Sequence, residues 1–259
     1  LKKGMRLVGA SDFLLGGIWY TKETLWTRYF NIGVRALNAS KFDDALNEFA
    51  FALKVDADRA DTYKAVGKVY MQLDSIDVAI ENYQRALAID STLVEAHADI
   101  GIGLLNHQRY EESVPHLSKA AELAPTNVSI IKALASAQWM SGDKDGAVTS
   151  AEKALEVNPD DPNVLSLVGG IFTDMQDYAK AVEYLEKAIE KEPENSDTIF
   201  NLANAYLGQG SLDKAADLFA KSLETNPDDH QALYQLGSIY DKSKKFDEAI
   251  DTFLKVVDL

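Results

Sequence analysis

From Trp26 onward, apolar and polar positions alternate with a helical period, and the pattern comes in pairs. Stretches of about 12 to 14 residues place apolar side chains three and four apart, as one face of a helix requires. Short turns such as Ser141-Gly142 and Gln209-Gly210 join the two stretches of a pair. The Asn-Pro-Asp-Asp stretches at Asn158 to Asp161 and Asn226 to Asp229 stop one helix, and their acids suit the positive start of the next. No strands are predicted.

The pairs repeat. Gly33, Gly67, Gly101, Gly169 and Gly237 are separated by 34 residues or multiples of it, and Ala135 and Ala203 fill the two remaining slots. A second small position runs in step through Ala45, Ala79, Ser113, Ala147, Ala181, Ala215 and Ala249, and a third through Ala52, Ala86, Ala120, Ala154, Ala188 and Ser222. Prolines recur at Pro125, Pro159, Pro193 and Pro227. Small residues let two helices approach closely, and larger ones such as Leu202, Tyr206 and Phe219 fill the space around that contact. One pair cannot bury its apolar faces alone, so pairs must stack.

This framework resembles the tetratricopeptide repeat over residues 26–259. The resemblance implies an all-α fold, a right-handed superhelical solenoid of antiparallel helix pairs. Seven units follow: 26–59, 60–93, 94–127, 128–161, 162–195, 196–229 and 230–259. Upstream, Gly4, Leu7, Phe13, Gly16 and Tyr20 fit a degenerate extra unit, so residues 1–25 are predicted to be helical capping. At the other end Ile250, Phe253 and Leu254 are predicted to be partly exposed, which suits a continuation or self-association.

Composition narrows the partners. The net charge of −15 repels phosphate backbones, and no run of Lys and Arg supplies a local basic patch, so no nucleic-acid partner is expected. The absence of cysteine excludes disulfide scaffolds, thiolate metal sites and Cys nucleophiles. The longest clean apolar run, Phe13 to Tyr20, is too short to span a bilayer, so no direct membrane insertion is expected. The chain begins with Leu1 rather than Met, which implies an upstream segment removed together with any targeting information; the compartment stays open.

The resemblance also implies where a ligand would lie. In this family the first helix of each pair lines a concave groove, and particular repeat positions face into it. In repeats six and seven these positions hold Phe200, Asn201, Asn204, Gln231, Tyr234 and Gln235. Their amides can pair with both groups of an extended peptide backbone, and the aromatic rings offer apolar anchors. In repeats two to four the inward positions include Lys64, Lys68, Asp99, Lys132 and Trp139, the last equally readable as a core filler. Acids and bases nearly balance at inward positions, so most of the negative charge belongs to the outer helices and loops. Chaperone-binding members carry a Lys/Asn carboxylate clamp across three repeats. It is missing here, so a partner ending in Glu-Glu-Val-Asp is not expected.

Catalytic readings find no support in the residues. His97, His107 and His116 are spaced too irregularly to put metal ligands on one helix face. Ser129 to Lys132 and Ser150 to Lys153 match Ser-x-x-Lys without the partner motifs that an acylating serine needs. Gly169-Gly170 belongs to the repeat and follows no strand. The expectation is a protein without catalytic residues, metal or cofactor, acting as a protein–protein interaction scaffold for an extended peptide or partner helix. The alternatives are a self-assembly module forming homo-oligomers through its repeat ends, and a regulatory segment of a larger protein.

Overall fold

The computed structural model describes residues 6–7, 12–15 and 18–257. It divides into two compact units, Leu1–Pro125 and Thr126–Leu259. Among the described residues the helical part consists of seven antiparallel pairs, and no helix is long and apolar enough to cross a membrane.

The first unit opens with a correction. In place of capping helices stand three short strands, β1 (Arg6–Leu7), β2 (Asp12–Leu15) and β3 (Ile18–Thr21), paired antiparallel in that order. Leu15 pairs with Ile18, which leaves only Gly16 and Gly17 between two runs rich in aromatic and branched residues. Such a Gly-Gly link is a hairpin signal, and it outweighs the loose glycine spacing that suggests a degenerate repeat. The parts of that expectation falling on residues 1–5, 8–11 and 16–17 lie outside the described residues.

Three helix pairs follow in this unit: α1 (Lys22–Asn38) with α2 (Phe42–Val55), α3 (Ala60–Gln72) with α4 (Ile76–Ile89), and α5 (Val94–Asn106) with α6 (Tyr110–Leu123). The helix α1 starts where the Thr21 hydroxyl accepts the Thr24 N–H at 3.2 Å. Trp26 ties the first pair to the second. Its indole N–H donates to the Thr62 hydroxyl at 2.9 Å, its ring stacks on Phe30, and the Arg59 guanidinium lies 4.3 Å from its centre.

The second unit holds four pairs: α7 (Val128–Met140) with α8 (Lys144–Val157), α9 (Pro162–Asp174) with α10 (Tyr178–Lys191), α11 (Ser196–Gly208) with α12 (Leu212–Thr225), and α13 (His230–Lys242) with α14 (Phe246–Val257). The Asp161 carboxylate accepts the N–H groups of Asn163 and Val164, and Asp229 accepts those of Gln231 and Ala232. These carboxylates cap the helices that their Asn-Pro-Asp-Asp stretches introduce. The turn within each pair carries one residue at positive φ, and in the second unit two of these are Gly142 and Gly210, which adopt it without a Cβ penalty.

A steric rule links the two helices of a pair. The repeat glycine of the first helix faces a large side chain sixteen residues later, as in Gly33–Phe49, Gly67–Tyr83, Gly101–Leu117, Gly169–Leu185 and Gly237–Phe253, the first four of these side chains fully buried and Phe253 half-buried. A Cβ at Gly101 would stand 2.5 Å from Leu117 Cγ, and one at Gly169 would stand 2.3 Å from Leu185 Cγ. Where the slot holds alanine the residue sixteen positions later varies: it is the small Ala151 after Ala135 but the large, buried Phe219 after Ala203.

Candidate functional site in the first-helix groove

Repeat spacing puts the predicted ligand residues at corresponding positions of successive first helices. In the second unit, α11 and α13 bring Phe200, Asn204, Gln231, Tyr234 and Gln235 around one cavity of about 380 Å³. His230 completes the lining. Sequence reasoning missed it because it occupies the first repeat position, one residue ahead of the positions the family pattern assigns to the groove. Asn201 is half-buried and lies outside this lining.

The two aromatic rings are anchored differently. Phe200 is half-buried and meets the Phe219 ring edge-on at 5.5 Å, so part of its surface serves the core. Tyr234 leans on Phe253 at 6.0 Å yet remains 58% exposed. Among the described residues, the side-chain amides of Asn204, Gln231 and Gln235 make no hydrogen bond to the protein. Three uncommitted amides thus surround an exposed aromatic ring.

In the first unit the groove side of α3 and α5 is charged and self-paired. Lys64 Nζ lies 3.0 Å from Glu95 and 3.5 Å from Asp61, while Lys68 Nζ lies 3.6 Å from Glu95 and 3.9 Å from Asp99. Burial opposes the Lys64 charge, but Glu95 and Asp61 together outweigh it and hold the ammonium above its ordinary value. The Lys64 hydrogen bond holds the Glu95 carboxyl below its own. Burial lifts the Asp99 carboxyl, with Lys68 opposing, and Asp99 also accepts the Tyr83 hydroxyl at 3.1 Å. An anionic ligand would have to displace these carboxylates to reach Lys64 or Lys68. A cavity of about 820 Å³ opens beside the pairs, lined by Leu37, Lys68, Met71, Asp99, Ile102 and His107 among others.

The remaining two candidates separate. Lys132 is half-buried and forms no ion pair among the described residues. Trp139 is also half-buried; its indole N–H donates to Asp174 at 2.7 Å and its ring rests over Gly170 on α9. The indole therefore spends its polar edge within the second unit.

Among the described residues no group of three or more His, Cys, Asp or Glu is placed to hold a metal ion. His97 and His116 do approach, with ring centres 5.7 Å apart between α5 and α6, and His97 Nδ1 is buried without a hydrogen bond. Burial, reinforced by His97, pushes the His116 imidazole below its ordinary value. The unfolded chain therefore takes up a proton first. Stability from this site is complete above the ordinary histidine value of about 6.5 and is lost as pH falls from there through the lowered value of the folded chain. The unfolding midpoint is expected to drop between about pH 7 and 5, and His116→Leu is expected to flatten that drop. Thermal melts of both proteins across that range check it; parallel curves would assign the drop to other groups.

Comparison with known proteins agrees with this architecture. The chain matches the family described as Tetratricopeptide repeat over residues 104–171, 172–229 and 206–258, and a TPR repeat over residues 67–108. It is 30% identical over 123 residues to the BBSome complex member BBS4 of Bos taurus, covering 47% of this chain and 23% of that protein. It is 31% identical over 77 residues to the Photosystem I assembly protein Ycf3 of Prochlorococcus marinus (strain MIT 9303), covering 29% of this chain and 44% of that protein. The chain thus spans less than half the length of these relatives. Among solved structures, PilF of Pseudomonas aeruginosa superposes with a TM-score of 0.64 at 22% identity, over 80% of this chain and 94% of the other, a likeness of fold. With 34-residue helix pairs through both units and a family match across more than half its length, the chain belongs to the tetratricopeptide repeat family.

Proposed function

We propose that this chain is a non-catalytic protein-interaction scaffold that holds an extended polypeptide segment against α11 and α13. The observation that carries the reading is the group of uncommitted amides at Asn204, Gln231 and Gln235 around the exposed Tyr234 ring. Amides offer donors and acceptors to a peptide backbone whatever its sequence, and the ring supplies apolar contact. The relatives fit such a role in kind: one is a member of a multiprotein complex and another an assembly protein.

The test is binding of an extended peptide selected from a random library against the full chain. Asn204→Ala is expected to cost about 1–2 kcal/mol of binding, because a desolvated peptide group loses its partner. Tyr234→Ala should cost at least as much, about 2 kcal/mol, through lost burial. Among the described residues Asn204 makes no side-chain hydrogen bond to the protein, and Tyr234 is 58% exposed and meets its paired helix through Phe253, so circular dichroism should be unchanged. Full affinity in the double variant would remove the site from α11 and α13.

A second reading has its own observation. Phe246, Ile250 and Leu254 form a stripe on α14 that is more than half exposed, which favours association of the chain with itself. Light scattering over a concentration series separates the two readings; a concentration-independent monomer would exclude self-association.

A further inference from the structure

The helix α11 has a second working face. Leu202 and Tyr206 lie two residues along from Phe200 and Asn204, about 200° around the helix, so they point away from the groove described above. There they floor a separate cavity of about 530 Å³, walled by Ile189 of α10 and Leu218 of α12. The floor is apolar and its rim is acidic, with Glu190 and Asp217 both exposed at its edge. Neither carboxylate has an ion-pair partner among the described residues.

The cation in the lining is already committed. Lys214 Nζ lies 3.2 Å from the Tyr206 hydroxyl oxygen and 4.5 Å from the centre of its ring, while that hydroxyl donates to Glu186. Lys214 is held at one side and pairs with neither Glu190 nor Asp217; Lys187 feels the Glu190 charge but forms its ion pair with Glu183. The arrangement is also extended by the repeat: Glu156 and Glu224 stand at the position of Glu190, and Glu183 and Asp251 at that of Asp217. Leu155 and Leu223, both half-buried, stand at that of Ile189. Carboxylates thus recur at these positions along the outer helices of the second unit, although Glu183 is paired with Lys187 at 2.7 Å, whereas the Glu190–Asp217 slot keeps both of its carboxylates free of ion pairs among the described residues.

We propose that this outer groove docks a basic amphipathic segment of a partner polypeptide, an apolar side chain entering between Ile189, Leu202 and Leu218 while flanking Lys or Arg residues meet Glu190 and Asp217. Charge complementarity selects the occupant. A neutral or acidic segment would leave the rim desolvated and unpaired, whereas a basic one gains ion pairs at Glu190 and Asp217 and is steered by the chain's net charge of −15. Docking here leaves the α11–α13 groove open, so two partners can be held on opposite faces of one helix.

Fluorescence anisotropy of the full chain with a fluorescein-labelled Lys/Leu amphipathic peptide tests this, with its Glu/Leu counterpart as reference. The Lys/Leu peptide is expected to bind and the Glu/Leu peptide not to. Glu190→Gln with Asp217→Asn is expected to weaken binding about tenfold. Glu194→Gln with Asp228→Asn, which changes net charge equally at exposed turn acids, should change it less than about twofold. All four side chains are exposed, so folding is retained, and far-UV circular dichroism checks that. Leu218→Ser is expected to weaken binding too, while Tyr234→Ala leaves it unaltered. Equal weakening by both neutralised pairs would reduce the effect to bulk charge and overturn the proposal. Absence of binding by the unaltered chain, or loss of binding in Tyr234→Ala alone, would overturn it as well.

Discussion

Leu185→Ala is expected to destabilise the second unit by about 2–5 kcal/mol, the range for truncating a fully buried leucine. Leu185 has no exposed surface and reaches over Gly169, where a Cβ would stand 2.3 Å from its Cγ. Gly169→Ala alone inserts a methyl group into that contact, an overpacking cost of about 1–3 kcal/mol, offset by about 1 kcal/mol of better helix propensity. Together the two changes should cost less than their sum. The added methyl enters the space that the shortened side chain vacates, and a coupling of about 0.5–3 kcal/mol is expected between groups in direct contact. The chain already holds a pair of that composition in Ala135 and Ala151. Urea unfolding of the unaltered chain, both single variants and the double variant gives the cycle. Stacked repeats can open in stages, so amide exchange in α9 and α10 should accompany it. Strict additivity would mean that the two side chains do not share one space.

Trp26→Ala is expected to cost about 3–5 kcal/mol, through lost burial and the void left behind. The indole is 8% exposed, stacks on Phe30 with ring centres 4.9 Å apart and lies under the Arg59 guanidinium. Its polar edge adds a separate contribution. Trp26→Phe keeps most of the apolar contact but leaves the Thr62 hydroxyl, which is fully buried, without its donor; that should cost about 1–3 kcal/mol. Adding Thr62→Val removes the stranded hydroxyl and should recover part of the loss. Arg59 stays tied to Asp56 at 2.8 Å in all these variants, so its position is not the variable. Thermal melts rank the series. A Trp26→Phe protein as stable as the parent would show that the hydrogen bond contributes nothing beyond the ring.

The helix pairs were legible because small residues at fixed spacing are a steric demand written directly into the chain. The residue opposite each glycine was not read in advance. It lies sixteen positions away, and only the crossing of two helices reveals that Phe49, Tyr83, Leu117, Leu185 and Phe253 share one role. The strands ahead of α1 were missed because glycines were read as repeat markers when two of them, side by side, separate hairpin strands. Phe200, Asn204, Gln231, Tyr234 and Gln235 could be placed together by period alone, since one face of α11 and of α13 carries them. Lys64 and Lys68 were harder. Their apparent charge is cancelled by Glu95 and Asp99 of the next first helix, an interaction that depends on how far two side chains reach between neighbours. Trp139 shows the same limit: its indole N–H donates to Asp174 on the next first helix, a partner that spacing alone does not give.

The pairing of a glycine with a large side chain sixteen residues later has a consequence for inheritance. Both partners lie inside one 34-residue unit, so a duplication or deletion of a whole unit carries the steric match intact. Exchange of a single helix would separate the partners and join a glycine to the wrong complement. The array can therefore grow or shrink by recombination between units without relearning its packing, and the Ala135–Ala151 unit shows that one match can differ while the pairs that follow it in the second unit keep the same fold.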